Sequence, residues 1–213
     1  MSNADQIAAA LRPIAPGQKL ATSDVPLINQ IGALWDARAS VMAPSPATPN
    51  ADPAWVAAGR GKIGEREIPG SRHNPWILSF WKQVPWLKSD DSDSPWCGGF
   101  VKWCLEAAGL PYPKEFPRAA SYATWGTACP AQLGAIGVKS RTGGNHVFFI
   151  VGITPDRKFY KALEGNANNM VRIGDIPVAQ VNAIRWPAGA PLPARSAIYL
   201  PVLPAGTVTT SEA

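Results

Sequence analysis

The sequence predicts an α+β fold, with helices first and an antiparallel sheet after them. Three observations carry this. Apolar residues recur at helical spacing as far as Ala108. From Gly134 onward the pattern changes to period two, in five segments of strand length. Gly and Asn lie between several of those segments, as in an antiparallel meander. The 213 residues suit one domain with appendages or two small ones, long enough to bury a core without staples.

In chain order, residues 1–40 read as a small helical segment. Its pieces are Ile7 to Leu11 and Val25 to Arg38, the second with Ile28, Ile31, Leu34 and Trp35 at helical spacing. Ser23 or Asp24 can cap the second helix, and Pro26 suits its first turn. Residues 41–53 hold four prolines in thirteen residues and read as a semi-extended linker. The main domain is placed at 54–186. Ala54 to Glu67 reads as a helix, and Asn74-Pro75 opens another carrying Trp76, Ile77, Phe80 and Trp81. A polar loop, KSDDSDSP, precedes the helix of PWCGGFVKWCLEAAG, with Ser94 as N-cap and Pro95 at the first position. After a short helical stretch around Ala119 to Trp125, the strands are Gly134–Val138, His146–Thr154, Phe159–Gly165, Met170–Ile176 and Val181–Trp186. Residues 187–213 form a tail rich in Pro and Ala, with one apolar patch at Ile198 to Leu203.

Composition removes several function classes. The net charge is +5, which favours acidic partners. The basic residues form no block, however. Arg157, Lys158 and Lys161 read as a solvated hairpin, and no nucleic-acid partner is expected. No apolar run reaches the roughly 18 residues of a membrane span. MSNADQIAAALRP lacks the basic start and apolar stretch of a secretory signal, so synthesis in the cytoplasm is expected, with any export by another route. The three cysteines, Cys97, Cys104 and Cys129, argue against a disulfide scaffold. Cys97 and Cys104 on one helix would lie roughly 10.5 Å apart along its axis, beyond the roughly 7 Å Cα limit of a bridge. Two histidines supply a zinc site poorly, and neither a metal nor a cofactor is expected.

Cys97 falls near the third position of its helix, where unpaired N–H groups and the dipole stabilise a thiolate. Gly98 and Gly99 follow it, each costing a helix roughly 1 kcal/mol against alanine. Two glycines there imply a close approach by a substrate backbone or a neighbouring strand. His146 opens the strand HVFFIVGIT, sharing a face with Phe148 and Ile150. Glu164 and Asn166 are two apart on the next strand, on one face and roughly 6.7 Å apart along it. In a hairpin, one of them can reach the His146 ring and fix its tautomer. A buried inert cysteine and a solvated strand end are the plain alternatives. Together the residues follow the order of nucleophile, base and orienter in cysteine catalysis.

The segments PWCGGFVKWCLEAAGL, RAASYATWG, PAQLGAIGV, NHVFFIVG and LEGNANN, with GKIGEREIPGSRHNPWILSFW upstream, resemble the CHAP and NlpC-type cysteine peptidase superfamily, in its phage-associated wall-hydrolase branch. The resemblance spans about residues 54–186. It implies a papain-like fold and hydrolysis of amide bonds in peptidoglycan. Cys97 would attack the carbonyl and His146 would shuttle the proton. Glu164 or Asn166 would orient the ring, and the Cys97 N–H would help bind the oxyanion. Trp96, Gly98 and Phe148, beside these residues, are expected to meet substrate, and His73 in SRHN is a further candidate. The family usually has glycine before the histidine and a small residue two after it. Here Asn145 and Phe148 stand, and Phe148 is expected to narrow the groove.

The leading expectation is therefore a peptidoglycan amidase or endopeptidase of phage or phage-derived origin. It would act as a free endolysin or within a tail or particle, among phage proteins as partners. The runner-up is a non-catalytic wall-binding or structural virion component on the same fold. A third reading is an interbacterial amidase toxin.

Overall fold

The computed structural model describes residues 3–11, 21–42, 51–84, 87, 90–194 and 198–206. The chain forms two compact units, Met1–Pro49 and Asn50–Ala213.

The first unit holds α1 (Asn3–Leu11) and α2 (Asp24–Met42), which lie against each other. Asp24 opens α2 and its carboxylate accepts the Ala21 N–H at 3.0 Å. Of the apolar positions read from the sequence, Ile28 is buried but Ile31 and Leu34 are exposed. The side chain of Trp35 lies outside the described residues, as does most of the proline-rich linker.

The second unit is an α+β assembly around one six-stranded antiparallel sheet. Its strands are β1 (Thr127–Ala128), β2 (Ile136–Arg141), β3 (Gly144–Ile153), β4 (Phe159–Ala167), β5 (Met170–Pro177) and β6 (Val181–Trp186). They lie in the order β1-β6-β2-β3-β4-β5. The last four in sequence reproduce the period-two segments to within a residue or two at either end. The first begins two residues later than its apolar pattern and extends to Arg141. The two-residue β1 has no periodicity to betray it.

Three helices precede the sheet. Helix α3 (Ala54–Arg60) is shorter than its apolar pattern, because the chain turns at Gly61 to Gly64 and Arg66 bridges Met170 of β5. Helix α4 (Pro75–Leu78) is capped by Asn74, whose side chain accepts the Trp76 N–H. Helix α5 (Cys97–Ala107) lies against α3, β3 and β4. Burial at 0% exposure of Phe100, Val101, Cys104 and Leu105 on α5, and of Phe148, Phe149 and Ile150 on β3, forms the core. Trp76, Phe80, Trp96 and Phe100 add an edge-to-face aromatic cluster beside it. Most tryptophans described here are therefore core, not groove.

Two of the buried carboxylates organise loops that carry little regular structure. Asp91 accepts the Ile68 and Asn74 N–H groups and meets His73 Nδ1 at 2.9 Å. Burial pushes its carboxyl up, but these hydrogen bonds and the neighbouring histidine outweigh it and hold it below the usual range. Asp175 does the same for the C-terminal segment. It pairs with Lys161 inside the protein and accepts the Gly206 N–H at 2.7 Å, while Lys161 donates to Pro204 C=O at 3.1 Å. Val202 bridges Ile153 in parallel, with Ile153 N–H on Pro201 C=O and Leu203 N–H on Ile153 C=O. The compact unit thus continues past Trp186, and its last described stretch is strapped along the sheet. Lys161 is buried, not part of a solvated hairpin; Arg157 and Lys158 alone are exposed there.

Removing one partner of a buried ion pair leaves the other charge uncompensated. Asp175→Ala is expected to destabilise the protein by about 3–5 kcal/mol, read as a lower midpoint in urea. An unchanged midpoint would show that the strap contributes nothing to stability.

Candidate active site

Cys97 is the first residue of α5, preceded by Trp96 as N-cap with no side chain capping the turn. The helix starts later than the Ser94-Pro95 pair suggests, because the preceding loop has its own acceptor. Asp90 Oδ1 receives the N–H groups of Ser92, Asp93 and Ser94. Cys97 is thus closer to the helix terminus than expected, where first-turn N–H groups lack intrahelical partners.

Gly98 is fixed by packing. A Cβ at this position would lie 2.1 Å from the Phe116 carbonyl oxygen, so only glycine lets the segment before Ala119 cross here. The short 3-10 turn Ala119–Ala123 is held by two further bonds. The buried Tyr122 hydroxyl donates to Gly98 C=O at 2.9 Å, and Arg185 Nε donates to Ala123 C=O at 2.6 Å. Gly98 therefore meets the protein's own backbone, not a substrate.

His146 lies on β3, across the ladder from Lys139 on β2. Its Nε2 meets Glu164 Oε2 at 2.9 Å, and both residues are buried. The register explains this. Phe148 pairs with Glu164, so His146, Phe148 and Glu164 share one face. Phe148 stacks on the imidazole with ring centroids 6.0 Å apart. With Nε2 engaged, Nδ1 is the nitrogen left to meet Cys97, which hydrogen-bonds the ring and also accepts the Val147 N–H. Asn166 is buried on the same strand but has a positive φ of 62°, and the β4–β5 register breaks between Glu164 and Ala167. The simple alternation that put Glu164 and Asn166 on one face fails at that break.

The electrostatics follow from this chain of contacts. Burial pushes the Cys97 thiol up, but the hydrogen bond and charge of His146, the Val147 N–H and the Arg141 charge outweigh it and lower its pKa. Burial pulls the His146 ring down, but hydrogen bonds and charges of Cys97 and Glu164 raise it to about 10. Both shifts favour the thiolate–imidazolium form of the pair over two neutral groups. Burial alone raises Cys104 well above the ordinary thiol value, and it also raises Cys129.

A cleft of about 280 Å³ opens over Cys97, small for a ligand pocket. One wall is the segment Pro117–Ala120 and the other is the tip of the β2–β3 hairpin, where Arg141 pairs with Gly144. Asn145 lines it where the resembling family has glycine. Arg118 and Arg141 line it too, and nothing but their charge marks them in the sequence. The other expected contacts are not there. Trp96 is fully buried, its indole N–H held by Glu67 Oε1 at 2.9 Å, because it anchors the helix start. Phe148 is also fully buried, its ring filling the space over Gly137, where a Cβ would come within 2.4 Å of it. It supports the imidazole from beneath and does not narrow the cleft. His73 belongs to the Asp91 cluster and does not line the cleft. Among the described residues, no group of three or more His, Cys, Asp or Glu is gathered to hold a metal ion. No described helix is long and apolar enough to cross a membrane.

The thiolate–imidazolium pair predicts selective reactivity. At pH 7, iodoacetamide is expected to modify Cys97 ahead of Cys104 and Cys129, with a rate that declines only below the ordinary thiol range. In His146→Ala the inflection moves to higher pH, since burial is then opposed by less. Equal labelling of all three thiols, or a profile indifferent to His146, would contradict the pairing. Peptide mass spectrometry reads both.

No protein-family model, curated protein or solved structure matches this chain.

Proposed function

We propose that the second unit is a papain-like cysteine amidohydrolase acting on peptidoglycan amide bonds. The observation that carries the reading is the buried contact chain from Cys97 through His146 to Glu164 at a helix terminus beneath a cleft. Nucleophilic catalysis by a thiol needs these three parts: an ionised sulfur, a base that can hold and return a proton, and an acceptor that fixes the base.

The Cys97 thiolate attacks the carbonyl carbon, and the developing oxyanion is met by the Cys97 N–H at the start of α5. The imidazolium gives its proton to the leaving amine, the C–N bond breaks and a thioester remains. Water then loses a proton to His146 and attacks the thioester, releasing the acid and the thiolate. Glu164 is assigned as the orienter, because its carboxylate holds Nε2 throughout and keeps Nδ1 on the sulfur. Asn166 is assigned to the turn geometry of β4.

The choice of peptidoglycan rests on the resemblance of the PWCGGFV, NHVFFIVG and LEGN segments to the wall-hydrolase branch, and a net charge of +5 suits an anionic wall. A phage or phage-derived origin, and release or delivery to the wall as an endolysin or within a particle, belong to the same proposal.

Digestion of purified peptidoglycan by wild type and by Cys97→Ala, with mass spectrometry of the fragments, tests it. Fragments are expected from the wild type alone. A new amine on the first stem alanine identifies an amidase, and one within the stem or bridge an endopeptidase. No release from several wall chemotypes would overturn the assignment. Within the active enzyme, Glu164→Gln is expected to lower kcat on the order of 10²-fold or more, with Asn166→Ala costing much less. The reverse order would transfer the orienting role to Asn166.

A further inference from the structure

We infer that Tyr122 is a positioning residue for the Cys97 thiol: its buried hydroxyl, donated to Gly98 C=O, fixes the first turn of α5 against the sheet that carries His146. The inference rests on the proposed cysteine hydrolysis and adds a residue to the machinery of that same site.

The first turn of α5 has little of its own to hold it. No side chain caps it, and two glycines follow Cys97. Glycine gives a backbone its widest conformational freedom, so a turn built this way relies on its surroundings for position. A Cβ at Gly98 would meet the Phe116 carbonyl oxygen at 2.1 Å, and one at Gly99 would meet the Phe80 ring at 2.8 Å. These close approaches confine the turn. Directional contacts come from Trp96, whose indole N–H is held by Glu67, and from the Tyr122 hydroxyl, 2.9 Å from Gly98 C=O. Of the two, Tyr122 acts on the residue after the thiol.

Tyr122 is also tied to the imidazole side of the site. It lies in the 3-10 turn Ala119–Ala123, where Arg185 Nε donates to Ala123 C=O at 2.6 Å. Arg185 is on β6 opposite Ile136 of β2, and Ile136 is opposite Phe149 of β3. His146 lies one turn of the ladder back along the same strand. Thiol and imidazole are thus joined by their own contact and again by this route through the turn and the sheet. The second route sets where α5 begins whether or not the pair is charged. Pro117 to Ala120, one wall of the cleft, lead into and begin the same turn, so the sulfur keeps its place relative to that wall too.

The hydroxyl suits this role. It is fully buried, and a buried phenol needs an acceptor. A helical carbonyl gives one lone pair to the N–H four residues on and keeps a second for a side chain. Burial first, and then the charges of Cys97, Cys104 and Tyr112, push the Tyr122 hydroxyl well above its ordinary pKa. It therefore remains a donor throughout the range in which Cys97 changes charge. Removing the oxygen leaves the ring, packed edge-on against Trp125, and costs direction, not volume.

Tyr122→Phe removes that oxygen alone. Tyr112→Phe is the comparison, since it also deletes a tyrosine hydrogen bond, to Gln83 Oε1 at 3.0 Å, but at the surface. The readouts are the pH profile of Cys97 alkylation by iodoacetamide, kcat and KM on peptidoglycan fragments, and the urea midpoint. In Tyr122→Phe, kcat is expected to fall about tenfold with KM little changed, because a misplaced nucleophile costs rate in the transition state. The alkylation inflection is expected to move to higher pH, as the thiol loses alignment with His146. Tyr112→Phe is expected to alter neither. Arg185→Gln loosens the same turn from its other side and is expected to move the inflection in the same direction, which carries the test if Tyr122→Phe does not fold. A lower urea midpoint with kcat and the inflection unchanged would mean a stabilising bond only, overturning the positioning role and leaving the hydrolase standing. An inflection that moves in Tyr122→Phe while the wild type releases no fragments would keep the positioning role and overturn the hydrolase.

Discussion

A thiol, an imidazole and a carboxylate are buried together where the start of α5 meets the start of β3. None of them tolerates that position alone. Desolvation works against the charged form of each, and an isolated buried charge costs several kcal/mol. As a chain they offset one another: Glu164 stabilises the charged ring, and the ring stabilises the sulfur anion. The arrangement therefore demands that helix and strand be held to within hydrogen-bonding tolerance. Much of the second unit can be understood as meeting that demand.

The supports come from both sides. Beneath the ring, Phe148 stacks on His146 and fits over a residue without a side chain, Gly137. Beside the thiol, Gly98 admits the Phe116 carbonyl, and Tyr122 ties the same helix turn to the 3-10 segment. Ahead of the helix, Asp90 and Asp91 accept five backbone N–H groups between them, ordering loops that have no ladder to join. Trp96 then fixes the helix start through its indole and Glu67. These are polar contacts used for position, since buried backbone donors must find partners somewhere.

Charge is distributed with the same economy. The basic residues are scattered in the sequence, and one of them, Lys161, is internal and serves the C-terminal strap through Asp175. Arg118 and Arg141 converge on the cleft only because the 3-10 segment and the β2–β3 hairpin face each other across Cys97. The overall net charge of +5 says little about the site.

The sequence by itself determined the α+β order, five of the six strands and the helix that carries Cys97. Periodicity, capping residues and turn residues are local, and they act before any tertiary contact forms. It also determined the order of Cys97, His146 and then Glu164 or Asn166. Tertiary structure decided what those patterns could not encode. The ladder register put Glu164 opposite Phe148 and hence against His146, while a break at Asn166 took that residue off the alternation. Trp96 and Phe148, close to the site in sequence, went into the core, Trp96 to hold the helix start through Glu67 and Phe148 to fill the space over Gly137. His73 was drawn to Asp91. The C-terminal segment, unpatterned in the sequence, found a strand edge and a buried ion pair. Contacts of this kind join residues far apart in the chain, and single-residue preferences carry no record of which distant partner the fold will supply.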